Sequence, residues 1–545
     1  MVKKDLLNFQ KKLYEEALLE VSYHLNRQPK AIANYQETFN KSLPRKASPS
    51  SMDELLDRVI PGQTILFGDF HTLASSQRAV LRFINLIKFY KPDLKLQLGI
   101  EFFRTEHSSV LQGFLSDQVS EEELLEKCDY SNTWGFPWKN YRQLLVTAKD
   151  LDIPVFAFNQ KRGKSASMKS RDLKIAKKCI EARGSDPSVV QLIVIGEHHL
   201  APSHLPAALI KLGCEAGKLL RVFSNIDEYY FQLHKRKIEP HTEVMRVDPM
   251  TYCVLNSAPW IKWKSLTIWV ESSKKNDICD EDDEEHFNEF EYDSDHLFLN
   301  MASQFVSFLG IILDKKEIEN FNLTKTSDIS EPINEINSSL TLSRKLNVEL
   351  ISESFKRKGY LYIPELRSIF LVDDNPHHLA ELVGHHIFSC LHIDKSGSNF
   401  ISSVLRYAMG AISSKIYAPT KIMMTKEDHQ KFLVKNKRPT TSTLIKRKRI
   451  SARSTLKFSE LLSSKSDSLP RSVLLANRVT KGEVSKSIGI AIGLMIYANY
   501  LASPQYREKL KNALQRMATN SDPLDLEFIR EMIISQRPSS SHDAA

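Results

Sequence analysis

The sequence predicts an α/β protein: an open, mainly parallel sheet flanked by helices with a small helical lobe, followed by a mainly α-helical C-terminal domain. Three observations predict it. Between residues 51 and 235, short apolar runs alternate with segments whose apolar residues recur at helical spacing, which is the pattern of βαβ units and a parallel sheet. The stretch 103–145 is too long for an ordinary crossover and is helical and aromatic throughout. Beyond about residue 296 the alternation fades and helical patterning dominates.

The elements follow in order. Residues 1–50 read as an N-terminal helical segment, because "MVKKDLLNFQKKLYEEALLEV" spreads charges through an amphipathic pattern that closes in the loop "LPRKASPSS". In the segment 51–235, "QTILFGDF", "LKLQLGIEFF", "IPVFAFN", "VQLIVIGEHH" and "LLRVFSNI" read as strands. Between them, "SQRAVLRFINLIKFY", "YRQLLVTAKDL", "RDLKIAKKCIEA" and "SHLPAALIKL" read as helices. Residues 236–295 read as a connecting segment, with three of the five tryptophans in "APWIKWKSLTIWVES" and an acidic loop, "NDICDEDDEEHFNEFEYDSD". The C-terminal domain, 296–545, includes a hairpin-like pair around "KGYLYIPELRSIFLV" and a basic stretch, 435–455, read as a surface loop.

Composition narrows the function. The chain has 545 residues, 42 % of them hydrophobic, enough for more than one core. Its net charge of +9 is patchy, and the basic stretch lacks the interleaved aromatics that stack on bases, so no nucleic-acid partner is expected. Six cysteines without a CxxC pair argue against a zinc ribbon, a redox dithiol or a disulfide framework. The N-terminus has no signal-peptide pattern, and "IGIAIGLMIYANYL" (488–501) reads as too short and too glycine-interrupted to cross a bilayer. No transmembrane segment and a cytoplasmic location are therefore expected, with a homodimer open as an oligomeric state. No GxSxG, P-loop or GxGxxG sequence is present.

In open parallel sheets, ligands bind outside the carboxyl ends of the strands. Here those ends carry Asp69 and His71, Glu101, Asn159, then Glu197, His198 and His199. Two strands end in the same form, "GDFH" and "GEHH", a glycine followed three residues later by histidine. The glycine is expected to take a left-handed turn that re-aims the following side chains. Two imidazoles and a carboxylate suit a divalent metal such as Fe, Mn or Zn, or general acid–base work. His71, Glu101 and His199 are the first candidates for metal ligands, with Asp69, Glu197 and His198 behind them.

Two further groups stand out. Trp134, Phe136, Trp138 and Tyr141 in "WGFPWKNY" can line a flat aromatic ligand, or form the core of the lobe, which is the commoner role. In "NPHHLAELVGHHIF", His378, Glu381 and His385 fall three and four residues apart on one helical face. That spacing is neither HExxH nor HxxEH, so a solvated or interdomain polar face is the simpler reading over a second metal site.

The segment 62–210 resembles the ChaN-like domain, the haem-binding uptake branch of the Tiki superfamily. The resemblance rests on "GDFH", "GIEFF" with Glu101, "WGFPWKNYRQLLVTAKDLDIPVFAFN", "RDLKIAK" and "GEHH", in that order. It implies an α/β fold with a helical sub-lobe and a pocket for haem or a metal, toward which Trp134, Trp138, Tyr141 and Asn159 are candidate contacts. In the wider superfamily, paired GxxH motifs and an early glutamate imply a divalent metal used for hydrolysis. Those roles fall here on His71, Glu101 and His199. The alternative function is thus a metal-dependent hydrolase, a Tiki-like peptidase or esterase, with Glu101 or Glu197 as base. Erythromycin-esterase-like relatives imply a comparable His and Glu set without a metal. The haem-uptake members are typically exported lipoproteins, and this chain departs from them in showing no export signal. The expectation is a protein binding haem, iron or another divalent metal at the carboxyl edge of its sheet.

Overall fold

The computed structural model describes residues 2–25, 30–160, 167–184, 186–236, 242–277, 294–326, 329–339, 348–372, 375–392, 400–420, 423–437, 443–463, 478–519 and 524–533. They divide into two compact units, residues 13–279 and residues 280–545 with 1–12.

The first unit is built on eight strands: β1 (Ser48–Ser50), β2 (Thr64–Asp69), β3 (Leu96–Arg104), β4 (Val155–Asn159), β5 (Val190–Gly196), β6 (Leu219–Ser224), β7 (Val244–Asp248) and β8 (Thr251–Val254). Their order across the sheet is β1-β7-β8-β6-β2-β5-β3-β4. From β8 to β4 every pairing is parallel, while β7 and β1 close one edge antiparallel. All six residues of β2 are buried, and so are the first six of β5. Central parallel strands covered on both faces need such unbroken apolar runs. Phe67, Ile100 and Val194 from the strands pack with Phe83 and Leu145 from the flanking helices in one continuous core.

The helices that matter below are α1 (Lys30–Ser42), α2 (Ala74–Tyr90), α3 (Trp138–Asp150), α4 (Met168–Arg183) and α5 (Pro259–Asp277). The expected lobe consists of short helices over 108–133, one opened by a capping box between Ser120 and Glu123. The sheet does not stop at residue 235. β7 and β8 add a hairpin to it, and α5 follows, so most of the supposed connecting segment belongs to this unit. Strands of five and four residues are too short for a clear alternating signal. Most of the acidic loop lies outside the described residues.

The second unit is mainly helical, with α6 (Pro376–Leu391), α7 (Phe400–Tyr417), α8 (Thr443–Ser463) and α9 (Arg478–Ala502). It also holds a three-stranded sheet of β9 (Asn322–Lys325), β10 (Tyr360–Ile363) and β11 (Ser368–Leu371). β10 and β11 form the expected antiparallel pair, and β9 runs parallel to β11. Two expectations are corrected here. Residues 443–455 of the basic stretch are not loop but the first part of α8, whose other face buries Ala452, Ser454, Thr455 and Phe458. The apolar run 488–501 lies within a helical segment, Lys481–Ala502, long and apolar enough to cross a membrane. In this unit it packs on α7, where a Cβ at Gly489 would meet the carbonyl oxygen of Val404 at 2.4 Å. Glycine is required there for the close approach, not for a break in the helix.

Candidate functional site

The two GxxH strands are neighbours. β2 and β5 pair in parallel with Asp69 opposite Gly196, and β3, carrying Glu101, lies on the far side of β5. Strand order and register thus bring three ionisable ends to one edge. The glycines serve packing rather than turning. Gly196 has φ −48°, so no left-handed turn is used, but a Cβ there would meet Nε2 of His71 at 3.2 Å.

Each histidine is anchored at Nδ1 by a carboxylate. Nδ1 of His71 lies 2.9 Å from Oδ2 of Asp69. Asp69 also accepts from Nε2 of Gln77 on α2 at 2.5 Å and from the Tyr141 hydroxyl on α3 at 2.8 Å. Nδ1 of His199 lies 2.5 Å from Oδ1 of Asp172 on α4 and 2.8 Å from the hydroxyl of Tyr35 on α1. A carboxylate only accepts, so in its neutral form each ring carries its proton at Nδ1 and presents an Nε2 lone pair. The two Nε2 atoms stand 3.9 Å and 4.0 Å from opposite oxygens of Glu101. Glu101 accepts from Arg171 at 2.5 Å and from the backbone N–H of Gly196 at 2.8 Å.

The electrostatics follow from these partners. Burial alone would raise the Glu101 pKa, but Arg171 and the two imidazoles bring it down to about 2. Burial works against charging His71, yet the hydrogen bond and charge of Asp69 raise its pKa above the ordinary value. Burial pushes His198 down to about 3, so that ring is neutral. Glu197 is buried and raised by desolvation, and pairs at 3.0 Å with the equally buried Lys262 of α5.

Above these groups lies a cavity of about 310 Å³ that reaches Asp69, His71, Glu101, Arg171, Glu197 and His199. Its upper wall is aromatic, from Phe70, Phe136, Trp263 and Trp269. Phe136 stacks on Trp269 with ring centroids 4.4 Å apart, and Trp134 meets the His71 ring edge-on at 4.6 Å. The volume is at the lower end for small-molecule sites.

Not every candidate reaches the cavity. Trp138 packs on Tyr130 and donates to Glu121 within the lobe. Tyr141 is buried and holds Asp69, and Asn159 accepts from Arg171 at 3.4 Å. None of the three lines the cavity: Tyr141 is buried behind Asp69, while Trp138 and Asn159 are half-buried, and the aromatic pair takes the packing role that the sequence made the commoner one. Sequence reasoning missed Tyr35, Asp172, Arg171, Lys262 and the Trp263 and Trp269 walls. Arg171 and Asp172 stand in the quoted "RDLKIAK", and the tryptophans in "APWIKWKSLTIWVES", so the signal was present without an assigned role.

The helical constellation is different. Glu381 and His385 are buried, which rules out the solvated half of the solvated or interdomain face expected for them. Nε2 of His385 is 4.0 Å from Glu381, whose carboxylate is 3.5 Å from Nζ of Lys486 on α9. Desolvation lowers His385 to about 3. The His378 ring instead packs against Tyr360 at 4.6 Å.

Among the described residues no three His, Cys, Asp or Glu groups are arranged to hold a metal ion. Around Glu101 the reason is visible: Arg171 and the Gly196 N–H already occupy the two oxygens a cation would need. The donor set at the cavity does not fit a metal held by His71, Glu101 and His199 together.

Residues 55–190 match the family model described as haem-binding uptake, Tiki superfamily, ChaN. The match spans β2, β3, β4 and α4, and with them Asp69, His71, Glu101, Arg171 and Asp172. It ends before Glu197–His199 and before the α5 wall. No curated protein and no solved structure matches the chain. The chain thus carries a ChaN-like domain within its first unit.

Proposed function

We propose that the ChaN-like unit binds haem at the carboxyl edge of its sheet, with Nε2 of His71 as the group offered to the iron. One observation carries this reading. His71 has its Nδ1 proton committed to Asp69, so its Nε2 lone pair is presented at a cavity walled by Phe70, Phe136, Trp263 and Trp269. A carboxylate behind a ligating imidazole fixes its tautomer and raises its basicity. Aromatic walls suit a flat macrocycle. Bound haem would supply an iron centre, whose properties the His71 imidazole would tune. The chain's own parts orient and enclose: Gln77 and Tyr141 hold Asp69, Asp69 holds His71, and the aromatic residues wall one side of the cavity. The test is a haemin titration of the full chain followed in the Soret band. Saturable binding lost in His71→Ala supports the reading; identical binding by that variant contradicts it.

The hydrolase reading keeps one supporting observation in its metal-free form. The His71–Asp69 pair is a base–orienter arrangement, able to accept a proton from water at Nε2 while Asp69 stabilises the imidazolium. Hydrolysis of p-nitrophenyl esters that disappears in His71→Ala, without haem binding, would favour it.

A further inference from the structure

The second unit contains a larger cavity, about 520 Å³, which plays no part in the site above. It is lined by the β10–β11 hairpin, the end of α6 and the start of α7. Ile351, Leu361 and Phe388 make it apolar on one side, and Tyr362, Ser389, Ser402, Ser403 and Arg406 bring hydrogen-bonding groups. Two of those groups lack what they need. The guanidinium of Arg406 lies over the Tyr407 ring at 5.4 Å, and no carboxylate pairs with it among the described residues. Its Nε is buried without a hydrogen-bond partner. The hydroxyl of Tyr362, a residue only 8 % exposed, makes no hydrogen bond of good geometry, with the Ser389 side chain beside it. Buried donors are almost always satisfied in folded proteins, so two orphans lining one cavity point to an absent acceptor.

Charge decides the kind of acceptor. The other guanidinium at the cavity, Arg367, is tied to Glu317 at 2.7 Å, which cancels that carboxylate. Glu365 is solvent-exposed. Among the described residues Arg406 has no carboxylate partner, and it stands beside a neutral hydroxyl donor. A planar guanidinium fork matches the oxygens of a carboxylate or phosphate. We propose that this cavity binds a small amphiphilic anion, a carboxylate or phosphate monoester on an apolar body. Arg406 and Tyr362 donate to its acid group, and Leu361 and Phe388 cover its body.

Calorimetric titration of the full chain with phenyl phosphate, benzoate and neutral benzyl alcohol tests this. At least one of the two anions binds one-to-one and the alcohol does not; which anion binds tells phosphate from carboxylate. Arg406→Gln weakens the binding at least about tenfold, the loss expected for a charge-assisted hydrogen bond. Tyr362→Phe weakens it several-fold, and neither change alters the haemin titration. The proposal is overturned if neither anion binds, if the alcohol binds equally well, or if Arg406→Gln binds like the unaltered chain. Should Arg406→Gln fail to fold by circular dichroism, Tyr362→Phe decides, and unchanged affinity there overturns the proposal.

Discussion

Two histidine–glutamate constellations stand in this chain, and they look alike as sequence. At the sheet edge, His71 and His199 have Nδ1 fixed by Asp69 and Asp172, leaving each Nε2 facing the space around Glu101. On α6, Nε2 of His385 is buried with no hydrogen-bond partner, hard against Gly410, where a Cβ would approach it to 2.5 Å. The first arrangement presents lone pairs at a cavity; the second fills a helical interior with a neutral ring. What separates a ligand site from a packing site here is the group behind the imidazole, not the spacing of histidines.

That contrast is sharpest under substitution. His71→Ala should abolish saturable haemin binding, whereas His385→Ala should leave the Soret titration unchanged. Asp69→Asn keeps the ring but weakens its support, and should cost about 10–100-fold in haemin affinity, the usual penalty for a group behind a metal ligand. His71→Ala and Asp69→Asn therefore rank the two links of one chain of contacts. Equal effects of His71→Ala and His385→Ala would break the comparison.

Protonation tests the same difference. Haemin affinity should fall as pH drops through the raised pKa of His71, because the proton takes the Nε2 lone pair. That loss starts above pH 6.5, the ordinary imidazole value, and a titration series across pH 5–9 reads it. For folding, Glu101 also loses its effect toward acid, but in a lower pH window. Its pKa is depressed to about 2 from 4.5, so its contribution to stability is present above pH 4.5 and lost as pH falls toward 2. In Glu101→Gln, denaturant midpoints should vary less across that window.

Glycine substitutions give the smallest effects and tell the regions apart by stability. Gly384→Ala forces a Cβ to 2.2 Å from the Met409 carbonyl oxygen between α6 and α7, and should cost about 1–3 kcal/mol of stability. Gly196→Ala meets side-chain atoms rather than backbone, the nearest being Nε2 of His71 at 3.2 Å, so it should cost less while displacing the ring and weakening haemin binding. Urea unfolding beside Soret titration reads both.

The strands of the sheet edge were legible because their apolar runs are local. Asp69, His71, Glu101, Glu197 and His199 follow those runs directly, and parallel topology gathers strand ends without further information. The remainder of the site comes from helices distant in sequence. Tyr35 arrives on α1, Arg171 and Asp172 on α4, Lys262, Trp263 and Trp269 on α5, and no local pattern says where a crossover or trailing helix docks. Trp138 and Tyr141 take the packing role, the commoner of the two the sequence left open, because periodicity fixes a buried face but not whether a cavity lies beyond it. The basic stretch 435–455 looked like a loop because its first residues hold Pro and Thr; the buried face of α8 is what makes the rest helical.

The most direct test of the central claim is imidazole rescue of His71→Ala, with haemin present and the Soret band as readout. The account predicts that the variant alone lacks the band of the unaltered chain and that added imidazole restores it, by standing in for the missing ring above Asp69. A variant that binds haemin with an unchanged band and affinity, indifferent to imidazole, would contradict it.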